Sequence, residues 1–195
     1  MTRIRAHLIT GFPGAGKTTL LRALLGLRPH AEHWALLLNG SNTGSIASAD
    51  GVTVQQLGNE CACCSGRVGF RTALVQLLRS ARPQRLLIEL AGAGDPAGVK
   101  AVLHEASLAR VVTFVNTVCV VQPRHLANAD IAAHEIYAAQ LEHADQFVLA
   151  QADDAAHQAL TPRGKPVTLM QHATPSVLAP AGITQSNDSS RRISS

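Results

Sequence analysis

The stretch "GFPGAGKTTLL", residues 11–21, stands between the apolar run "RIRAHLIT" (3–10) and the amphipathic run "GKTTLLRALLGL" (16–27). The first run reads as a strand, the second as a helix closed at Gly26 or Pro29. Gly11, Gly16, Lys17 and Thr18 fall on the Walker A spacing, and a strand before and a helix after are the context that this motif requires. Its glycines let backbone N–H groups turn towards phosphates, and the helix start adds partial positive charge. Lys17 can reach the β/γ oxygens, and Thr18 can ligate Mg²⁺. The loop residues expected to hold a nucleotide are Gly11, Gly14, Ala15, Gly16, Lys17, Thr18 and Thr19.

Working outward, "HWALLLN" (33–39) reads as a second strand, followed by a Gly/Ser/Asn-rich loop over 40–51. A helix is expected over 70–81, a strand over 85–90, and a helix over 94–106 with Asp95 as cap and Pro96 at its first position. Then come a strand (109–116), a helix (129–144), a strand (145–150) and a short strand (165–170). Apolar strands alternating with helices imply an α/β fold of the P-loop NTPase class. Its sheet is mostly parallel, with helices on both faces. One domain is expected over 1–170, with a disordered tail over 171–195, where Thr, Pro, Ser, Asn and Arg show no periodicity.

Composition narrows the function classes. Hydrophobic residues are 46% of the 195, enough for a core, but aromatics are 3%, so that core is built from Leu, Val, Ile and Ala. The net charge is +4, yet charged residues are only 15% and the basic ones are scattered, which argues against nucleic acid as a partner. No apolar run approaches a membrane span, and "MTRIRAHLIT" has no signal-peptide pattern. The expected location is the cytoplasm, where thiols stay reduced. That sharpens the question raised by "GNECACCSG" (58–66), which holds Cys61, Cys63 and Cys64. Three thiolates suit Zn²⁺ or another late transition metal and leave one coordination position open. Redox chemistry and inert packing are the alternatives. Cys119 reads as core.

With "GFPGAGKTTLL" and "CACC" in one chain, the sequence resembles the CobW-like metal-homeostasis GTPases, in order through about residues 4 to 153. "NECACCSG" resembles their Cys-x-Cys-Cys segment. "LLIELAGAGDP" resembles their second nucleotide motif, with Glu89 three positions before Gly92. "VVTFVN" resembles a strand that usually ends in Asp. "AAQLEHADQFVLAQAD" resembles the approach to the guanine-reading Asn-Lys-x-Asp. The resemblance implies a GTP-binding metallochaperone with Mg²⁺ as cofactor, a metal-requiring client protein as partner, and a homodimer around nucleotide.

On this reading Lys17, Thr18 and Glu89 carry slow phosphoryl transfer, Thr18 holds Mg²⁺, Gly92 approaches the γ-phosphate, and Cys61, Cys63 and Cys64 hold the transition metal. The departures are specific. The guanine motif is reduced to Ala150, Gln151, Ala152 and Asp153, so guanine preference should weaken and ATP becomes an alternative. "NGSNTGSIASAD" (39–50) keeps Asn39 but has lost two glutamates, and Asn116 stands where an Asp is common. A non-hydrolysing module, or a truncated copy of a longer gene, is therefore the rival reading. The nine histidines are dispersed, with His125, His134 and His143 nine apart, and read as solvated surface.

Overall fold

The computed structural model describes residues 3–39, 46–57 and 66–179. Seven strands form one parallel sheet: β1 (Ile4–Thr10), β2 (Trp34–Asn39), β3 (Val52–Leu57), β4 (Arg85–Glu89), β5 (Val112–Val121), β6 (Gln146–Leu149) and β7 (Val167–Leu169). Their order is β3-β2-β4-β1-β5-β6-β7. Connections from β1 lead to one side and those from β5 to the other. The switch in strand order therefore falls at β1, where open α/β sheets bind ligands beyond their carboxyl ends.

Among the described residues, eight α-helices connect the strands: α1 (Lys17–Gly26), α2 (Arg67–Ala81), α3 (Pro96–Leu103), α4 (Ala106–Ala109), α5 (Pro123–Ala127), α6 (Ala129–Ala132), α7 (Glu135–His143) and α8 (Asp154–Leu160). Strand β2 shows why both sheet faces are covered. Ala35 and Leu37 join Phe70, Leu74, Val99 and Val102 under α2 and α3. Trp34, Leu36 and Leu38 join Leu20, Leu21 and Leu24 of α1. A period of two with both phases apolar is what a doubly covered strand demands. A third cluster packs Tyr137, Leu141 and Leu160 of α7 and α8 against Cys119, Val121 and Phe147.

Four expectations need correction. First, β3 occupies residues 52–57, between the loop expected over 40–51 and the cysteine segment, where no element was expected. As an edge strand carrying Gln55 and Gln56, with only Val52 buried, it lacks an apolar signature. Second, β5 runs on to Val121, so Asn116 lies inside it and not at its end. Third, the helix expected over 129–144 is two. Asn128 caps α6 through the Ile131 N–H at 3.0 Å, and the His134 ring caps α7 through the Ile136 N–H at 3.3 Å.

Fourth, the tail expected from residue 171 is folded as far as Ala179. Val177 and Leu178 are buried beside α1, and Asn116 donates to the carbonyls of Val177 (2.9 Å) and Ala179 (3.0 Å). Two apolar side chains and two buried amides, those of Asn116 and Gln146, hold a segment that has no periodicity to betray it. Residues 180–195 lie outside the described residues.

Candidate nucleotide site

The phosphate loop leaves β1 at Gly11, whose φ of +142° is open only to glycine; a Cβ there would stand 2.4 Å from the Val120 carbonyl oxygen. Strand β5 thus presses on the loop, and Gly11 is fixed by that approach as well as by its dihedral. Gly14 (φ +73°) and Gly16 (φ +101°) complete the reversal, and the Ala15 N–H donates to the Phe12 carbonyl at 3.0 Å. Gly16 is the N-cap of α1 and brings no side chain to the helix's first amides. Uncapped first-turn N–H groups beside left-handed glycines form a cradle for anionic oxygen. Thr19 is exposed on that first turn.

Lys17 is buried and donates to the Gly11 carbonyl at 2.8 Å. Burial pulls its pKa down, while the charge of Glu89 pulls it back up. Glu89 pairs in register with Ile9 at the end of β4 and is 6% exposed. Its Oε1 accepts from the Thr18 hydroxyl at 3.0 Å, and its Oε2 is buried with no hydrogen-bond partner. Burial raises this carboxyl above the ordinary range, against the Thr18 hydrogen bond and the Lys17 charge. A hydroxyl and an unsatisfied carboxylate oxygen side by side at a phosphate loop are hard oxygen donors, and they fit Mg²⁺.

Gly92 lies against the loop, where a Cβ would stand 2.6 Å from Pro13 Cγ. Its carbonyl accepts from Gln140 Nε2 at 2.9 Å, so α7 braces the segment after β4. Phe12 is wedged among the His125, His134 and Tyr137 rings, each 5.5 Å away. His125 is therefore buried, which corrects its reading as solvated surface, and His7 is also fully buried. Burial pulls the His125 pKa down, helped by the charges of Arg124 and Lys17. Arg124 escaped the sequence reading altogether. A Cβ on Gly14 would stand 3.4 Å from its Nη2, which places the guanidinium beside the phosphate loop. The only sequence signal is its place just after an apolar strand, at the second position of a Pro-initiated helix.

Asn116 does not join this site. It sits in register with His7, whose Nδ1 lies 2.8 Å from its Oδ1. Burial holds that imidazole down at a pKa of about 4. The amide therefore anchors the segment around Val177, and the comparison with a metal-holding Asp at that position is misplaced. Cys119 is fully buried under the loop, its thiol pushed up to about 12 by burial, in keeping with a core role.

Asp153 stands apart from the phosphate loop, beyond β6. Its Oδ1 accepts the Ala156 N–H at 2.7 Å and so caps α8. The residue is exposed and lines a cleft of about 360 Å³ with His157, Thr168 and His172. One oxygen is engaged in the cap, and the residue borders a volume that could take a base edge. Cys61, Cys63 and Cys64 lie outside the described residues. Among the described residues, no three His, Cys, Asp or Glu side chains gather to hold a metal ion.

The model of the CobW/HypB/UreG nucleotide-binding domain matches residues 5–176. The chain belongs to this family. Zinc chaperone YeiR of Escherichia coli strain K12 is 33% identical over 153 residues, which is 76% of this chain and 47% of that protein. Zinc chaperone YjiA of the same strain is 31% identical over 166 residues, 80% of this chain and 51% of that protein. The chain thus spans about half the length of these relatives. Among solved structures, the Zn(II)-bound YjiA GTPase from E. coli superposes with a TM-score of 0.66 at 24% identity, covering 89% of this chain and 59% of that one. HypB from Archaeoglobus fulgidus gives 0.56 at 17% identity, covering 89% and 83%. These likenesses confirm the fold, a parallel P-loop sheet with helices on both faces. No helix among the described residues of this CobW/HypB/UreG domain is long and apolar enough to cross a membrane.

Proposed function

We propose that this chain is a GTP-binding metallochaperone domain. In this reading a nucleoside triphosphate sits on the phosphate loop, and a transition metal such as Zn²⁺ on Cys61, Cys63 and Cys64. The observation that carries it is the Thr18–Glu89 contact at 3.0 Å with the second Glu89 oxygen unsatisfied, set in a domain of a family whose relatives are named zinc chaperones. Thr18 and Glu89 would hold Mg²⁺, which supplies charge neutralisation for the phosphates when bound. Lys17 and Arg124 bring two further positive charges to the loop, and both are suited to stabilising charge that develops on transferred phosphoryl oxygens. Gly92 offers its backbone at the far side of the loop. No general base is required, since positioning and charge dominate phosphoryl transfer. Nucleotide state would bias the segment after β4 and the cysteine segment, so that slow hydrolysis gates metal delivery to a metal-requiring client.

The test titrates Zn²⁺ calorimetrically into the wild type and a Cys61→Ser/Cys63→Ser/Cys64→Ser variant, with and without a non-hydrolysable GTP analogue. Cysteine-dependent binding that shifts with the analogue is the expected result. Equal, weak binding by both proteins would remove the metal from the proposal. A second reading is favoured by one observation, an Asp153 that caps α8 and is preceded by Ala150 and Gln151: a module that binds nucleotide without hydrolysis, or that prefers ATP. Mg²⁺-dependent phosphate release excludes the non-hydrolysing form, and tighter binding of GTP than of ATP in competition excludes the ATP-preferring one.

A further inference from the structure

Two clefts share one wall along α2, which runs down to the end of the sheet opposite the phosphate loop. One, of about 510 Å³, runs along α2 past Arg67, Val68 and Arg71 to Glu105. The other, of about 930 Å³, continues from Arg71, Val75 and Arg79 past Arg82 to Arg3, Arg110 and Val111, just before β1 and β5. Together they make one groove with six arginines and a single acid. Glu105 takes Arg67 at 2.9 Å and Arg71 at 3.1 Å. Arg3, Arg79, Arg82 and Arg110 have no acidic partner among the described residues. Four unpaired guanidiniums around one cleft repel one another, and that cost falls away when carboxylates enter.

The groove is apolar between its charges. Val68 (77% exposed) and Val111 (49%) line it, two of the three exposed large hydrophobic side chains among the described residues. Arg82 adds an independent sign. It caps α2 at φ +45° and is the only non-glycine residue among those described with positive φ. That C-terminal cap position ordinarily selects glycine. The chain accepts a strained backbone there and places a cation on the rim.

We propose that this groove docks an acidic, leucine-type segment of a partner protein: carboxylates on the arginines, aliphatic side chains on the valines. Nucleic acid fits less well, because no aromatic side chain lines either cleft to stack a base. The chain's own segments outside the described residues fit poorly too. They contain two acids, Glu60 and Asp188, and the stretch that follows Asp188 carries Arg191 and Arg192. None of the described residues lining the groove belongs to the phosphate loop or to the cysteine segment, so its test is separate from those of the nucleotide and metal readings.

The test measures fluorescence anisotropy of a short labelled peptide of alternating Glu and Leu, with a Glu/Ser peptide and an RNA oligomer as competitors. Arg79→Glu/Arg110→Glu should weaken peptide binding by about tenfold or more, as reversal of facing charges does, while GTP binding is unchanged. Glu105→Gln releases two arginines and should strengthen binding. Arg82→Gly relieves the left-handed backbone, so it should weaken binding without lowering Tm. Equal affinity for the Glu/Ser peptide overturns the proposal, as does stronger competition by RNA. So does a dimer in sedimentation that the reversal variant dissolves, since the groove then belongs to a second copy. Should charge reversal unfold the domain, Glu105→Gln decides alone, and an unchanged affinity there sinks the proposal.

Discussion

Two regions along one edge of the sheet would share a nucleotide, and they are built to different standards. At the ends of β1, β4 and β5 the phosphate side is complete: three left-handed glycines, an uncapped helix start, Lys17, and the Thr18–Glu89 pair. At the end of β6 the base side keeps one recognisable group, Asp153, and half of that carboxylate is committed to capping α8. The difference is one of redundancy. Phosphate recognition draws on backbone N–H groups that the fold itself positions, so few side chains can be lost without destroying the loop. Base recognition rests on individual side chains, and replacing Asn by Ala150 and Lys by Gln151 leaves the fold intact.

The sharpest way to break the comparison is on its strong side. Lys17→Ala removes a buried cation whose proposed role is charge-assisted contact with phosphate. The expected loss of GTP affinity is about 2–3 kcal/mol, or roughly a hundredfold, read by fluorescent-nucleotide titration. A loss below threefold would mean that the backbone cradle alone carries the phosphates. On the weak side, Asp153→Ser keeps an N-cap oxygen for the Ala156 N–H and removes the carboxylate that would accept from guanine. If Asp153 still reads the base, the GTP-over-ATP ratio falls by about 1 kcal/mol, or roughly fivefold. An unchanged ratio with unchanged Tm would show that the base side is silent. Asp153→Ala should additionally lose about 1 kcal/mol of stability with the cap.

Arg124→Ala should match the Asp153 effect in size. Its guanidinium beside Gly14 should contribute about 1 kcal/mol to binding of a triphosphate and less to that of a diphosphate. A competition titration with both nucleotides reads the difference, and equal losses would assign Arg124 to general surface charge.

Sequence legibility follows the same division. The phosphate loop could be read residue by residue because its chemistry is local: the glycines, the lysine and the hydroxyl are neighbours in the chain. Glu89 was legible for a different reason, as a charge inside an apolar strand needs a partner, and Thr18 is that partner. Arg124 and Gln140 were not legible as site residues. Their contacts with Gly14 and Gly92 cross from other elements, and nothing in "PRHL" or "AAQL" states which loop lies opposite. Strand β3 was hidden by its glutamines at the sheet edge. The packed segment around Val177 was hidden because its hydrogen bonds come from Asn116, sixty residues earlier in the chain. The same distance misplaced Asn116 itself. Strand content was readable near residue 116, but the length of β5 is set by its pairing with β1 and β6.

The subtlest test joins the two standards in one residue. Glu89 keeps its proton to higher pH when folded than the 4.5 of an unperturbed carboxyl. A raised carboxyl contributes stability that is fully present below the unfolded value and is lost as pH rises through the folded one. Glu89→Gln removes this titration. Without nucleotide or Mg²⁺, the variant's Tm should gain on the wild type as pH rises from about 4 to about 7. The effect is small, because the Thr18 hydrogen bond and the Lys17 charge offset part of the burial. With Mg²⁺ and a non-hydrolysable GTP analogue the order should reverse, since the carboxylate is then needed and only the wild type gains from the ligands. A Tm difference that ignored pH would mean the Oε2 oxygen reaches water and is not held for a cation. A difference that followed pH but not Mg²⁺ would leave the burial real and the metal role of Glu89 wrong. The carboxylate is costly to the fold alone and useful to it only with a ligand. That asymmetry is the physical mark of a binding group, and it separates the phosphate side from the capped Asp153 at the other end of the same edge.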